Sequence, residues 1–179
     1  MGLFDIFKKS TKPYKTESLN QIYQLLFCDN LGLFKSNINF DSKPPWDILF
    51  SEPARNADLK ILANDIKAES RTRVLAYNKL LAAGQKVKVK ELLAVIVEVG
   101  LENGLDVLAS FSDGSARYIN QTEKIIVWET ANVASSVLTN QLFKDSARVI
   151  TQIGPWNKPR SRRSVGIACA RGICACKAI

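Results

Sequence analysis

Leu92-Leu-Ala-Val-Ile-Val-Glu-Val99, then Asn103-Gly104, then Leu105-Asp-Val-Leu-Ala-Ser-Phe111 is the stretch that decides the fold. Two runs rich in apolar and β-branched residues flank an Asn-Gly pair. That pair is the strongest short-range signal for a β-hairpin, because both central positions of the favoured turn need φ > 0. A second turn at Asp113-Gly114 leads to Ala116-Arg-Tyr-Ile-Asn120. A third, around Gln121 to Glu123, leads to Lys124-Ile-Ile-Val-Trp-Glu129. Connections this short permit only antiparallel neighbours. The expectation is a four-stranded antiparallel meander over residues 91–129.

A sheet of this kind needs one face covered, and the flanking helices are the available cover. Residues 16–30 carry Leu19, Ile22, Tyr23 and Leu26 along one face, with Asn30 and Gly32 as a stop. Residues 53–83 open on Pro53 and carry Leu59, Leu62, Ile66, Val74, Tyr77, Leu80 and Leu81. Glu69-Ser70 interrupts that stripe, which allows one bent helix or two shorter ones. Between these helices, Pro44-Pro45 favours an extended segment, anchored to the core by Trp46, Ile48, Leu49 and Phe50. After the meander, Asn132 can cap a helix over residues 132–153 with Val137, Leu138, Leu142, Val149 and Ile153 as its apolar stripe. The predicted class is α+β.

The charges divide the chain. Of 25 Lys and Arg and 17 Asp and Glu, no acidic residue lies after Asp145. Six basic residues (Lys158, Arg160, Arg162, Arg163, Arg171 and Lys177) follow Trp156 and supply +6 of the net +8. Residues 1–156 are therefore near neutral and long enough for one domain with a proper core. Residues 157–179 read as a basic, Cys-containing tail, disordered or aberrant. No apolar run approaches the ~20 residues of a membrane helix. At the N-terminus, Leu3, Phe4, Ile6 and Phe7 could line a short amphipathic helix over residues 1–9 that docks on the body. The positive charges there follow the apolar stretch, unlike a secretion signal, and Ile6 breaks the myristoylation pattern. A cytoplasmic location is expected.

The chain has no histidine. Ser-His-Asp and Cys-His nucleophilic machinery therefore have no base, and neither common Gly-rich phosphate loop occurs. Cys169, Cys174 and Cys176 have the wrong spacing for a zinc ribbon or knuckle, so no metal or cofactor is expected. Lys158, Arg160, Arg162 and Arg163 could hold nucleic acid or an anionic surface by counterion release, but they lack interleaved aromatics. Asp113 before Gly reads as a turn residue, and Glu69, Arg71 and Arg73 read as a solvated helix face. Arg117, Tyr118 and Trp128 on the later strands are the candidate protein-binding residues, if the two aromatics share an open face.

Tyr23-Gln-Leu-Leu-Phe-Cys-Asp, Leu93-Ala-Val-Ile-Val-Glu-Val-Gly, Ala116-Arg-Tyr-Ile-Asn-Gln and Ile153-Gly-Pro-Trp-Asn-Lys-Pro resemble segments of a group of uncharacterised bacterial proteins over residues 1–160. The resemblance implies no activity, substrate or catalytic residue. It implies an apolar β segment after Gly-Pro-Trp, where this chain has Ser161-Arg-Arg-Ser-Val-Gly-Ile-Ala-Cys-Ala-Arg-Gly-Ile-Cys-Ala-Cys. That departure suggests a truncated or frame-shifted end. Loss of the segment would leave a sheet edge through which two copies could pair. The functional expectation is a non-catalytic protein-binding domain, an adaptor or immunity-type inhibitor. The alternatives are an enzyme gathering Glu98, Asp106 and Arg117 in a cleft, and nucleic-acid binding by the arm.

Overall fold

The structure, a computed structural model, describes residues 12–37, 43–87, 91–129, 133–153 and 166–174, the last of these as backbone. The predicted helix over 1–9, the cap at Asn132, the proposed domain boundary at Trp156 and the cluster Lys158–Arg163 lie outside the described residues.

The fold is α+β. The meander forms as expected from β1 (Leu92–Leu101), β2 (Gly104–Phe111), β3 (Ala116–Ile119) and β4 (Ile125–Trp128). The first hairpin closes on Glu102 and Asn103, with Leu101 opposite Gly104. Neither turn residue has a positive φ. The positive φ lies at Gly104 itself (159°), where an added Cβ would also sit tightly against the Gln121 backbone at 3.3 Å. The later turns use left-handed backbone at Gly114 (φ 87°) and Glu123 (φ 68°).

A fifth strand, β5 (Gly166–Cys174), pairs antiparallel with β1, giving the order β4-β3-β2-β1-β5. It comes from the stretch expected to stand apart as a tail. Its two glycines and central Arg171 give it weak strand propensity. What holds it is the partner: β1 offers a long ladder from Leu92 opposite Cys174 to Gly100 opposite Gly166. The edge of β1 is thus paired, and among the described residues the unpaired edges are those of β4 and β5.

Six helices accompany the sheet among the described residues: α1 (Glu17–Leu25), α2 (Leu31–Asn37), α3 (Trp46–Leu49), α4 (Asn56–Asn64), α5 (Ser70–Ala82) and α6 (Val133–Ile153). The 53–83 stretch is two helices, and the first begins at Asn56, three residues after Pro53. The segment expected to be extended holds α2 and the single turn α3. Trp46 stacks between Phe34 and Phe50 there, at 6.5 and 5.6 Å between ring centroids. Leu19, Tyr23, Leu49, Leu59, Leu75 and Leu80 meet Ile96, Val107, Phe111 and Ile119 in one core.

Two polar devices fix the helical layer. Arg73, expected in solvent, is buried. Its Nε donates to the Ala63 carbonyl at 3.0 Å and its guanidinium forks onto Glu91, so one side chain joins the end of α4 to the start of β1. An arginine carrying several fixed donors can be buried when each finds an acceptor. Asp113, read as a turn residue, also caps α5, its Oδ2 accepting the Ser70 N–H at 2.7 Å.

The last helix turns a different face inward from the one its sequence suggested. α6 lies against β1 and β5, yet Val137, Leu138, Val149 and Ile153 are exposed. Ser146 is buried, and Thr139, Leu142, Phe143 and Ile150 are half-buried on the same helical line. That line has the spacing of one helix face. Only Leu142 is common to it and the predicted stripe.

Candidate interaction surface

Alternation along a strand assigns each side chain to a face. Ile119 and Val107 belong to the core, so Arg117, Val127 and Ile125, which share their face by register, point toward the helical layer. Tyr118, Ile126 and Trp128 point the other way. The three predicted binding residues are therefore split. Tyr118 and Trp128 share the face opposite the helical layer, and Arg117 does not.

Arg117 has a settled role on its own face. Its side chain is 9% exposed. Nη1 donates to the carbonyls of Ala116 and Trp128 at 2.9 and 3.0 Å, and Nη2 reaches both Glu129 oxygens at 3.0 and 3.1 Å. The guanidinium clasps the end of β4 to β3.

On the opposite face Tyr118 lies between Leu108 and Ile126 across the sheet, with Trp128 diagonal to it. The Tyr118 hydroxyl donates to Asp106 Oδ2 at 2.7 Å, and Asp106 Oδ1 accepts the Gln121 N–H at 2.7 Å. The hydrogen bond to Asp106 raises the tyrosine above its ordinary pKa, which leaves it a donor. Ile126 was missed in the sequence reading. Its position two residues from Trp128 places it on the same face. All four β4 residues are exposed, from 36% at Trp128 to 49% at Val127. β4 ends the sheet, so on its outer side alternate N–H and C=O groups face no described strand.

The carboxylates and arginine of the catalytic alternative are not gathered. Glu98 accepts the Tyr23 hydroxyl on the helical side. Asp106 is committed on the other face, and Arg117 is spent on Glu129. Asp113 is held by its own network. Burial would raise its carboxyl, but hydrogen bonds from Ser70 and Ser115 outweigh that and hold it below the usual carboxylate range.

A shallow groove of about 350 Å³ opens between α5 and the α1–α2 and α3–α4 connections, with Cys28, Asp29, Asn78, Lys79 and Glu52 on its walls. Asn78 Nδ2 donates to the Cys28 carbonyl at 2.6 Å, and Lys79 Nζ to the carbonyls of Leu49 and Ser51 at 3.0 and 2.5 Å. Burial pushes the Cys28 thiol up to about 12, so the nucleophilic thiolate is scarce. The groove's polar groups hold the fold together. Among the described residues no group of three His, Cys, Asp or Glu is placed to hold a metal ion, and no helix is long and apolar enough to cross a membrane.

No protein-family model, no curated protein and no solved structure matches this chain.

Proposed function

We propose that this chain is a non-catalytic protein-binding domain, an adaptor or immunity-type inhibitor, that receives its partner on β4. One observation supports it: the terminal strand β4 has Ile125, Ile126, Val127 and Trp128 all exposed, whereas Leu93 to Ile96 of the equally apolar β1, on the far side of β3 and β2, are sealed. An exposed apolar edge strand invites pairing and aggregation, so its retention favours use. The partner adds a strand to the open edge and packs a side chain against Tyr118, Ile126 and Trp128. Main-chain hydrogen bonds then give affinity and the aromatic pair gives selectivity. The fixed hydroxyl of Tyr118 supplies a polar contact at the rim of that surface.

Purification from the native host tests this reading. The full chain is expected to carry a protein that Ile126→Lys and Trp128→Ala release without a change in thermal unfolding. A clean monomer with nothing bound would overturn it.

A further inference from the structure

We propose that, with no foreign strand bound, β4 pairs with β4 of a second copy about a two-fold axis at Val127, joining the two sheets into one. The inference rests on the reading of β4 as a strand-accepting edge and names the strand that fills it. The ladder shows which main-chain groups are available. The Asn120 N–H donates to the Lys124 carbonyl, and bonded pairs alternate in an antiparallel ladder, so Tyr118–Ile126 and Ala116–Trp128 are the bonded pairs between β3 and β4. The bond from the Phe111 N–H to the Ser115 carbonyl sets the same phase from the other side, turning Arg117 and Ile119 toward β2. Ile125, Val127 and Glu129 therefore point their N–H and C=O groups away from the sheet. The β4 side chains are exposed on both faces, so among the described residues nothing overhangs this edge.

Two conditions fix the register of a self-pair. Outward groups must meet outward groups, and a two-fold axis normal to the sheet keeps each face with its like, so residues opposite each other must share a face. Centres at Ile126 and at Val127 satisfy both. A centre at Val127 sets Val127 opposite itself and Ile125 opposite Glu129, in three hydrogen-bonded pairs. It also sets Ile126 opposite Trp128, twice, on the face opposite the helical layer. Those are non-bonded positions, where side chains approach most closely, and an aromatic facing a branched aliphatic is a favourable cross-strand pair. A centre at Ile126 leaves two bonded pairs, sets Lys124 against Trp128, and points Glu123 of one copy at Glu129 of the other, like charges that repel. Glu123 also stands in left-handed backbone (φ 68°) and is held by Lys15 and Thr16, so it does not extend the strand. Two edges this short bury on the order of 1,000 Å² in total, the low end for a specific interface. The self-pair is accordingly weak, and a foreign strand that matches the edge better displaces it.

Sedimentation of the full chain over a concentration series should show a monomer–dimer equilibrium with a Kd on the order of 10 μM. Val127→Pro deletes an outward N–H and leaves the bonds to β3 in place. It should weaken the dimer roughly tenfold or more, without lowering the thermal unfolding of the dilute protein. If that variant fails to fold, Val127→Lys sets two like charges on the axis and should weaken the dimer as well. Cysteines read the register. In Val127→Cys the two Cα atoms would lie about 5.5 Å apart, within disulfide reach, and in Ile125→Cys roughly 14 Å apart. After mild oxidation, peptide mass should find the disulfide between two copies at position 127 and none at position 125. A monomer at every concentration, a dimer indifferent to both Val127 variants, or equal cross-linking at the two positions would overturn the proposal. A monomer that still carries a protein released by Ile126→Lys would sink self-pairing alone. A self-paired chain that carries nothing else from its host would sink the foreign partner alone.

Discussion

β1 and β4 are alike in composition and opposite in fate. Leu93-Ala-Val-Ile96 has no exposed surface, whereas Ile125-Ile-Val-Trp128 is exposed at every residue. Among the described residues, β1 has a strand on each side and helices near it, and β4 has one neighbour and exposed side chains on both faces. The hydrophobicity of a strand reports what it can bury. Its place in the sheet decides what it does bury. An apolar strand left at an edge is the more informative of the two, because it is costly to keep without a use.

The comparison is tested most sharply by one substitution made twice. Ile96→Ala should cost about 3 kcal/mol by leaving a cavity in the core, read as a lowered denaturant midpoint. Ile126→Ala should cost no more than about 0.5 kcal/mol. Similar losses at the two sites would show that β4 is covered on the face opposite the helical layer.

Arg73→Ala, next in size, should cost about 2 kcal/mol. It strands the Ala63 carbonyl and removes the fork onto Glu91, whose carboxylate still reaches water. Arg117→Leu should cost about 1 kcal/mol, because Glu129 is 71% exposed and remains hydrated when released. Its signature is local: amide exchange should quicken in β4 and stay unchanged in β1. A uniform change across the sheet would mean that the clasp supports the whole fold.

The smallest effect is a pH dependence. Asp113 has a lowered folded pKa, so its contribution is complete above the ordinary carboxylate value and is lost as pH falls through the lowered one. Asp113→Asn should cost about 1 kcal/mol or less at neutral pH, given the exposure of the cap. The gap between the two proteins should close as pH drops below about 4. A gap that persisted in acid would assign its effect to packing.

The meander was readable because a turn signal stands between each pair of strands, at Asn103-Gly104, Asp113-Gly114 and Gln121 to Glu123, although the first turn closes one residue earlier than Asn-Gly implies. Alternation along the strands places Tyr118 and Trp128 on one face and Arg117 on the other once the register is known. What escaped the sequence depends on distant partners. Arg73 looks solvated until Ala63 and Glu91 are brought to it. α6 carries two candidate faces, and β1 and β5 select the one through Ser146. β5 has too little strand propensity to announce itself. It is defined by a neighbour more than sixty residues earlier in the chain, and the one-sided charge of its surroundings pointed away from a sheet.

The sealed thiol of Cys28 has a practical consequence. It is fully buried in the connection between α1 and α2, in left-handed backbone (φ 51°), and its proton is held tightly. An alkylating reagent can reach it only when the packing of α5 on the α1–α2 connection opens. The chain thus carries an internal clock for its own breathing, and the rate at which the Cys28 peptide gains mass in native buffer times how often that packing comes apart.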